Sequence, residues 1–66
     1  MKAVRFTVDP RPIELGGGYI AKLFDADDIE LAGGVFSLAE FADSEDPDTE
    51  AYSTAYNWAS DELQYL

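Results

Sequence analysis

The chemistry open to this chain is carboxylate chemistry. Its 66 residues hold fourteen Asp and Glu against four Lys and Arg, with no histidine and no cysteine. Those absences remove the commonest general base, the commonest zinc ligand and every thiolate at once. Ser53, Thr54 and Ser60 could act as nucleophiles only beside an activating base, and carboxylates, Lys2 or Lys22 are all that remain to supply one. Asp25-Ala26-Asp27-Asp28-Ile29-Glu30 has the oxygen density that hard cations take. The spacing does not fit an EF-hand loop, which from Asp25 would need glycine at Glu30 and a bidentate glutamate at Phe36. Gly16-Gly17-Gly18 is no phosphate cradle either, because it runs into an expected strand rather than a helix N-terminus. The expectation is a protein without catalysis, metal or cofactor, whose acids act by being presented.

The distribution of charge sharpens this. All four bases, Lys2, Arg5, Arg11 and Lys22, lie in residues 1–22, opposed there only by Asp9 and Glu14. From Leu23 onward there is no base, while Asp25, Asp27, Asp28, Glu30, Glu40, Asp43, Glu45, Asp46, Asp48, Glu50, Asp61 and Glu62 follow. A net charge of −10 exceeds the magnitude of ~2–8 that keeps a small domain soluble, and a surface built for solubility intersperses the two signs. Such a field steers basic partners toward the chain and repels nucleic acid itself. Asp48 and Glu50 have an ordinary role near a helix N-terminus, but Asp61 and Glu62 fall in the last turns of the expected helix, where the macrodipole favours cations. The carboxylates are expected to gather on one continuous exterior face. Like-charge crowding there should raise their pKa values, and added salt at neutral pH should raise the midpoint of thermal unfolding.

The elements that must carry these groups follow from the hydrophobic pattern. With 47% hydrophobic and 14% aromatic residues the chain is too apolar for disorder, and its length allows one small domain over residues 1–66. Val4 to Val8 alternates as a half-buried strand and is stopped by Asp9-Pro10-Arg11-Pro12. A second strand runs from Tyr19 to Asp25, with Tyr19, Ala21 and Leu23 on one face and Ile20, Lys22 and Phe24 on the other. Ala26-Asp27 turns the chain into a third strand over Asp28 to Ala32. Gly33-Gly34 reads as a hairpin turn or a break, leaving a short strand end at Val35-Phe36. Ser37-Leu38-Ala39-Glu40 has capping-box spacing and predicts a short helix from Leu38 to about Ala42. An acidic loop over Asp43 to Asp48 precedes a helix capped by Asp48 or Thr49 and running to about Leu63. Its stripe of Tyr52, Ala55, Tyr56, Ala59 and Leu63 is expected to pack on Val4, Phe6, Val8 and Leu23. The predicted class is α+β: a small antiparallel sheet of about three strands against a C-terminal helix.

Asp25, Asp27, Asp28, Glu30, Asp43, Glu45, Asp46, Asp48, Glu50, Asp61 and Glu62 are therefore the candidate partner-binding acids. Trp58 and Tyr65 are candidate aromatic anchors, with core packing the alternative for Trp58. Carboxylates two apart on a strand stand ~6.6 Å apart, and those four apart on a helix ~6 Å. Two such elements side by side approximate rows of phosphates. In length, in the block Asp43-Ser44-Glu45-Asp46-Pro47-Asp48-Thr49-Glu50 and in the aromatic helix Ala51-Tyr52-Ser53-Thr54-Ala55-Tyr56-Asn57-Trp58, the chain resembles the phage-encoded anti-CRISPR proteins. The likeness is to small acidic inhibitors of type I surveillance complexes, those of type I-C among them. It covers the chain in general character and carries over no individual residue. It implies a DNA-mimicking inhibitor that occupies the site where a Cascade-type complex holds target DNA, acting as a monomer in the host cytoplasm. An antitoxin or inhibitor of a basic nuclease is the competing expectation; a phage or halophile structural protein is a third. No stretch has the length of a signal peptide's apolar core or a membrane span.

Overall fold

The computed structural model describes residues 2–65; Met1 and Leu66, the ends of the expected domain, lie outside the described residues. Three antiparallel strands in the order β1-β2-β3, β1 over Arg5–Pro10, β2 over Tyr19–Phe24 and β3 over Glu30–Phe36, form a meander. One face is covered by a single helix, α1, over Pro47–Tyr65. Two short 3₁₀ turns, Ile13–Leu15 and Leu38–Phe41, complete an α+β fold of the predicted class.

Register fixes the faces. Phe6 pairs with Leu23, Val8 with Ala21 and Pro10 with Tyr19. On the other side Tyr19 pairs with Phe36, Ala21 with Gly34 and Leu23 with Ala32. Because side chains alternate along a strand, these rows all point toward α1, and Arg5, Thr7, Ile20, Lys22, Phe24 and Val35 point away from it. The predicted division of β2 into two faces holds. β1 lies one to two residues later than predicted: Val4 is exposed ahead of it, and Ala3 is buried instead. Pro10 is tolerated because β1 is an edge strand, where a missing N–H interrupts no ladder.

β3 departs most from the prediction. It runs unbroken through Gly33-Gly34, paired with Lys22 and Ala21, rather than turning or stopping there. Pairing needs backbone only, and a bare Cα at Gly34 is what the packing above it requires. A Cβ there would lie 3.4 Å from Trp58 and 3.1 Å from Phe36. Between Phe24–Glu30 and Leu23–Ala32 the register shifts, leaving Leu31 as the extra residue of a bulge.

The buried stripe of α1 is Ala51, Ala55 and Ala59, flanked by Tyr52 and Tyr56 on one side and Trp58 on the other. Of the predicted stripe, Ala55 and Ala59 are buried and Leu63 is half-buried, but Tyr52 and Tyr56 are substantially exposed and Ala51 is buried instead, so the helix is rotated toward its alanines. The reason is volume. Phe6, Val8, Tyr19 and Phe36 already fill the sheet surface, and among the described residues Leu23 is the large side chain buried completely. Methyl groups alone fit directly above them, and the aromatics are displaced to the shoulders. There Phe6 meets Tyr56 edge-on at 5.1 Å and Tyr19 meets Tyr52 at 5.2 Å, while Phe36 lies 5.9 Å from Trp58.

Two helix starts were readable in part. Glu40 accepts the Ser37 N–H at 3.1 Å as the capping-box spacing predicts, but the segment closes as a 3₁₀ turn rather than an α-helix. α1 is capped by Asp46, not by Asp48 or Thr49: the Thr49 N–H donates to Asp46 Oδ1 at 3.2 Å and its hydroxyl to Oδ2 at 2.8 Å. Pro47 takes the first helical position, where its missing N–H has no partner to lose.

Candidate protein-binding surface

The fold sorts the candidate acids into three groups rather than one. Asp25 is removed from the surface: it is 4% exposed and works inside its own turn. Its Oδ1 accepts the N–H groups of Asp27 at 2.8 Å and Ile29 at 3.0 Å, while Asp28 N–H donates to the Asp25 carbonyl. This tight loop sets Asp28 at φ 63, a left-handed conformation that aspartate tolerates better than most residues. Asp25 is thus a turn former and not a partner contact. Asp25→Ala strands two backbone donors, so a loss of about 1–3 kcal/mol is expected in urea unfolding. No change in midpoint would deny the turn this role. Among the described residues no group of three or more His, Cys, Asp or Glu side chains is placed to hold a metal ion.

Asp28 and Glu30 belong to a second group, neutralised by bases from the first third of the chain. Arg5 Nη2 lies 2.8 Å from Asp28 Oδ1 and stacks its guanidinium 4.2 Å above the Phe24 ring. Lys22 Nζ lies 3.7 Å from Glu30 Oε1. Exposed pairs of this kind add little stability, but they cancel charge where they stand. The uncovered sheet face therefore carries little net charge apart from Asp9, with Ile20, Phe24 and Val35 between its ion pairs. Arg11 is committed elsewhere, its guanidinium donating to the carbonyls of Gly17 at 3.0 Å and Leu15 at 2.9 Å.

The third group keeps its charge. Asp27, Asp43, Glu45, Asp46, Asp48, Glu50 and Asp61 are exposed and Glu62 is half-buried; none is in an ion pair among the described residues. Asp43 to Glu50 crowd around the start of α1, whereas Asp61 and Glu62 lie near its end, eleven and more residues later. At 1.5 Å per residue that is ~16 Å away. The continuous anionic face expected from the sequence does not form. An acidic end, a sheet face of little net charge and a smaller acidic group at the far end of α1 form instead. Two facts give the main end its order. Asp46 is locked by Thr49, and Asp48 Oδ2 accepts the Tyr19 phenol at 3.1 Å.

Titration follows these bonds. Donating to Asp48 raises the Tyr19 phenol above its ordinary 10.0, with burial adding to the effect. The Thr49 hydroxyl, and then its N–H, hold Asp46 below its ordinary 3.8, opposite to the upward shift expected from crowding. A local hydrogen bond acts at contact distance, whereas neighbouring carboxylates act through water and salt. A depressed folded value means that the cap's contribution is complete above the unfolded value and is lost as pH falls through the folded one. Thr49→Val is therefore expected to lower the unfolding midpoint at neutral pH and to leave it nearly unchanged once the pH is low enough to protonate Asp46 in the folded state. An equal loss at both would place the effect outside the cap.

Among the aromatic candidates, Trp58 is drawn into the core by Phe36 and Gly34, while Tyr65 is 84% exposed at the end of α1. The sequence pattern did not single out Tyr52 and Tyr56 as surface groups, yet both are substantially exposed and flank a groove of about 230 Å³ with Ser53 and Asn57. Alanine at 51, 55 and 59, repeating every fourth residue, was the signal that could have found them. Along the described residues no helix is long and apolar enough to cross a membrane. The chain matches no protein-family model, no curated protein and no solved structure.

Proposed function

We propose that this protein binds a basic protein surface that otherwise holds nucleic acid, and that it acts as an anti-CRISPR inhibitor of a type I surveillance complex. The observation that carries the reading is the acidic end: among the described residues Asp43, Glu45, Asp48 and Glu50 stand without a cationic partner, on a frame fixed by the Asp46 cap and the Tyr19–Asp48 bond. Carboxylates that are held in place and left uncompensated lower the ordering cost when a lysine- and arginine-lined groove closes on them. The long dimension of the molecule, 37 Å, is about one turn of B-form duplex, ~34–36 Å. A groove made for one turn of DNA accommodates a body of that length. The role proposed is occupation of the site, with no chemical step.

The test is competition. A purified type I surveillance complex, incubated first with this protein, should fail to bind its target duplex, and the complex between the two proteins should weaken steeply as salt rises. Simultaneous binding of protein and duplex would reject the mimicry. A basic nuclease captured in place of the surveillance complex, and inhibited competitively with its substrate, would keep the electrostatic logic and move the partner to the antitoxin class.

A further inference from the structure

We propose that the groove along α1 lined by Tyr52 and Tyr56 on one side and Ser53 and Asn57 on the other receives an arginine side chain of the basic partner. The inference rests on the reading above and gives the contact its location and chemistry. It begins from two rings that packing has fixed but not covered. Tyr52 is 43% and Tyr56 47% exposed, their centroids lie 6.2 Å apart and their planes differ by 33°. Each is gripped from the sheet side by an edge-on ring, Tyr19 behind Tyr52 and Phe6 behind Tyr56. Neither is free to fold back onto the helix, so their outward surfaces stay available. Ser53 and Asn57 form the other wall, supplying hydroxyl and amide oxygens that accept hydrogen bonds.

The surroundings select the occupant. Asp48 precedes Tyr52 by four residues on the same side of α1, so although its Oδ2 accepts the Tyr19 phenol its negative charge stands one helical turn from the groove. Anionic ligands, nucleotides included, are repelled by a body of net charge −10. A purely apolar ligand makes no use of the polar groups of Ser53 and Asn57. A guanidinium suits these surroundings: its plane lies on aromatic faces, its N–H groups donate to hydroxyl and amide oxygens, the nearby carboxylates favour its charge, and it sheds water more readily than an ammonium. The molecule already displays the pairing once, where Arg5 stacks on Phe24 and bonds to Asp28. Arginine over lysine is the specific content of the inference.

The experiment titrates the isotope-labelled full chain with octa-arginine and, separately, octa-lysine, following tyrosine ring signals by NMR. Octa-arginine should move the Tyr52 and Tyr56 rings and leave Tyr65, which serves as an internal control. It should also bind about 5- to 10-fold tighter than octa-lysine, an advantage of the size expected for a ring-stacked cation. In Tyr52→Leu/Tyr56→Leu that advantage should vanish while affinity for octa-lysine persists. The ring shifts of the unaltered chain decide the matter even if this variant folds poorly. Equal affinity for both peptides, or shifts that spare Tyr52 and Tyr56, overturns the groove while leaving the acidic surface intact. Failure of both peptides to bind overturns the groove and the basic-partner reading together.

Discussion

Gly18→Ala is expected to remove much or all of the stability of the fold. Gly18 has φ +79, and a Cβ on it would lie 2.0 Å from the Phe36 carbonyl oxygen and 2.8 Å from the Ser37 Cα, both backbone atoms that cannot step aside. It therefore sits where β2 begins and where β3 passes into the second 3₁₀ turn, and its own carbonyl accepts the Arg11 N–H at 2.9 Å. Left-handed backbone alone costs a residue with a Cβ about 1–2 kcal/mol. The overlap brings the total to about 4 kcal/mol or more, against a total stability of ~3–10 kcal/mol for a domain of this length. Two companion variants give the scale. Gly16→Ala carries a positive φ of +104 with no contact nearer than 3.9 Å, so it should lose the conformational cost alone. Gly33→Ala meets nothing nearer than 3.5 Å at ordinary strand angles and should be neutral or slightly stabilising. Thermal unfolding followed by far-ultraviolet circular dichroism checks all three. A Gly18→Ala midpoint within a few degrees of the parent would mean that the approach of β2 to the chain after Phe36 is not as close as described.

Neutralising the acidic end, with Asp43→Asn, Glu45→Gln, Asp48→Asn and Glu50→Gln combined, is expected to weaken binding to the basic partner by about 10- to 100-fold and to flatten its salt dependence. The matched control is Asp28→Asn with Glu30→Gln, which removes two carboxylates already answered by Arg5 and Lys22. That pair should change affinity little. The fold should not follow affinity: relief of four repelling charges offsets the lost interaction of Asp48 and Glu50 with the N-terminus of α1, so the thermal midpoint at low salt should hold. Lower affinity together with unchanged stability separates a binding surface from a structural one. A loss of binding free energy from the control pair about half that from the four, in proportion to the charges removed, would mean that net charge matters and position does not.

These outcomes depend on the tertiary structure to different degrees, and the sequence explains why. Alternation in Tyr19-Ile20-Ala21-Lys22-Leu23-Phe24 settles which side of β2 faces the core, because neighbouring side chains must point oppositely whatever the partner strand. The Ser37–Glu40 spacing settles a local reciprocal bond for the same reason. Gly33-Gly34 could not be settled locally. Two glycines permit a turn as readily as a strand, and what selects the strand is Trp58, more than twenty residues away, lying over Gly34. Rotation of α1 had the same character. A period of 3.6 runs through the alanines and through the tyrosines alike, and only the filled sheet surface admits the alanines.

The amount and sign of the charge, the want of any base after Leu23 and the α+β class were determined by the sequence by itself, since composition and periodicity are properties of the chain before it folds. Which acids remain active was decided by the tertiary structure. Asp25 turned inward to hold a loop, Arg5 crossed to Asp28 and Lys22 to Glu30, and the tyrosines were pushed outward by the fit of three methyl groups. Contacts between distant residues are set by strand register and side-chain volume, and neither can be read from the order of charges along the chain.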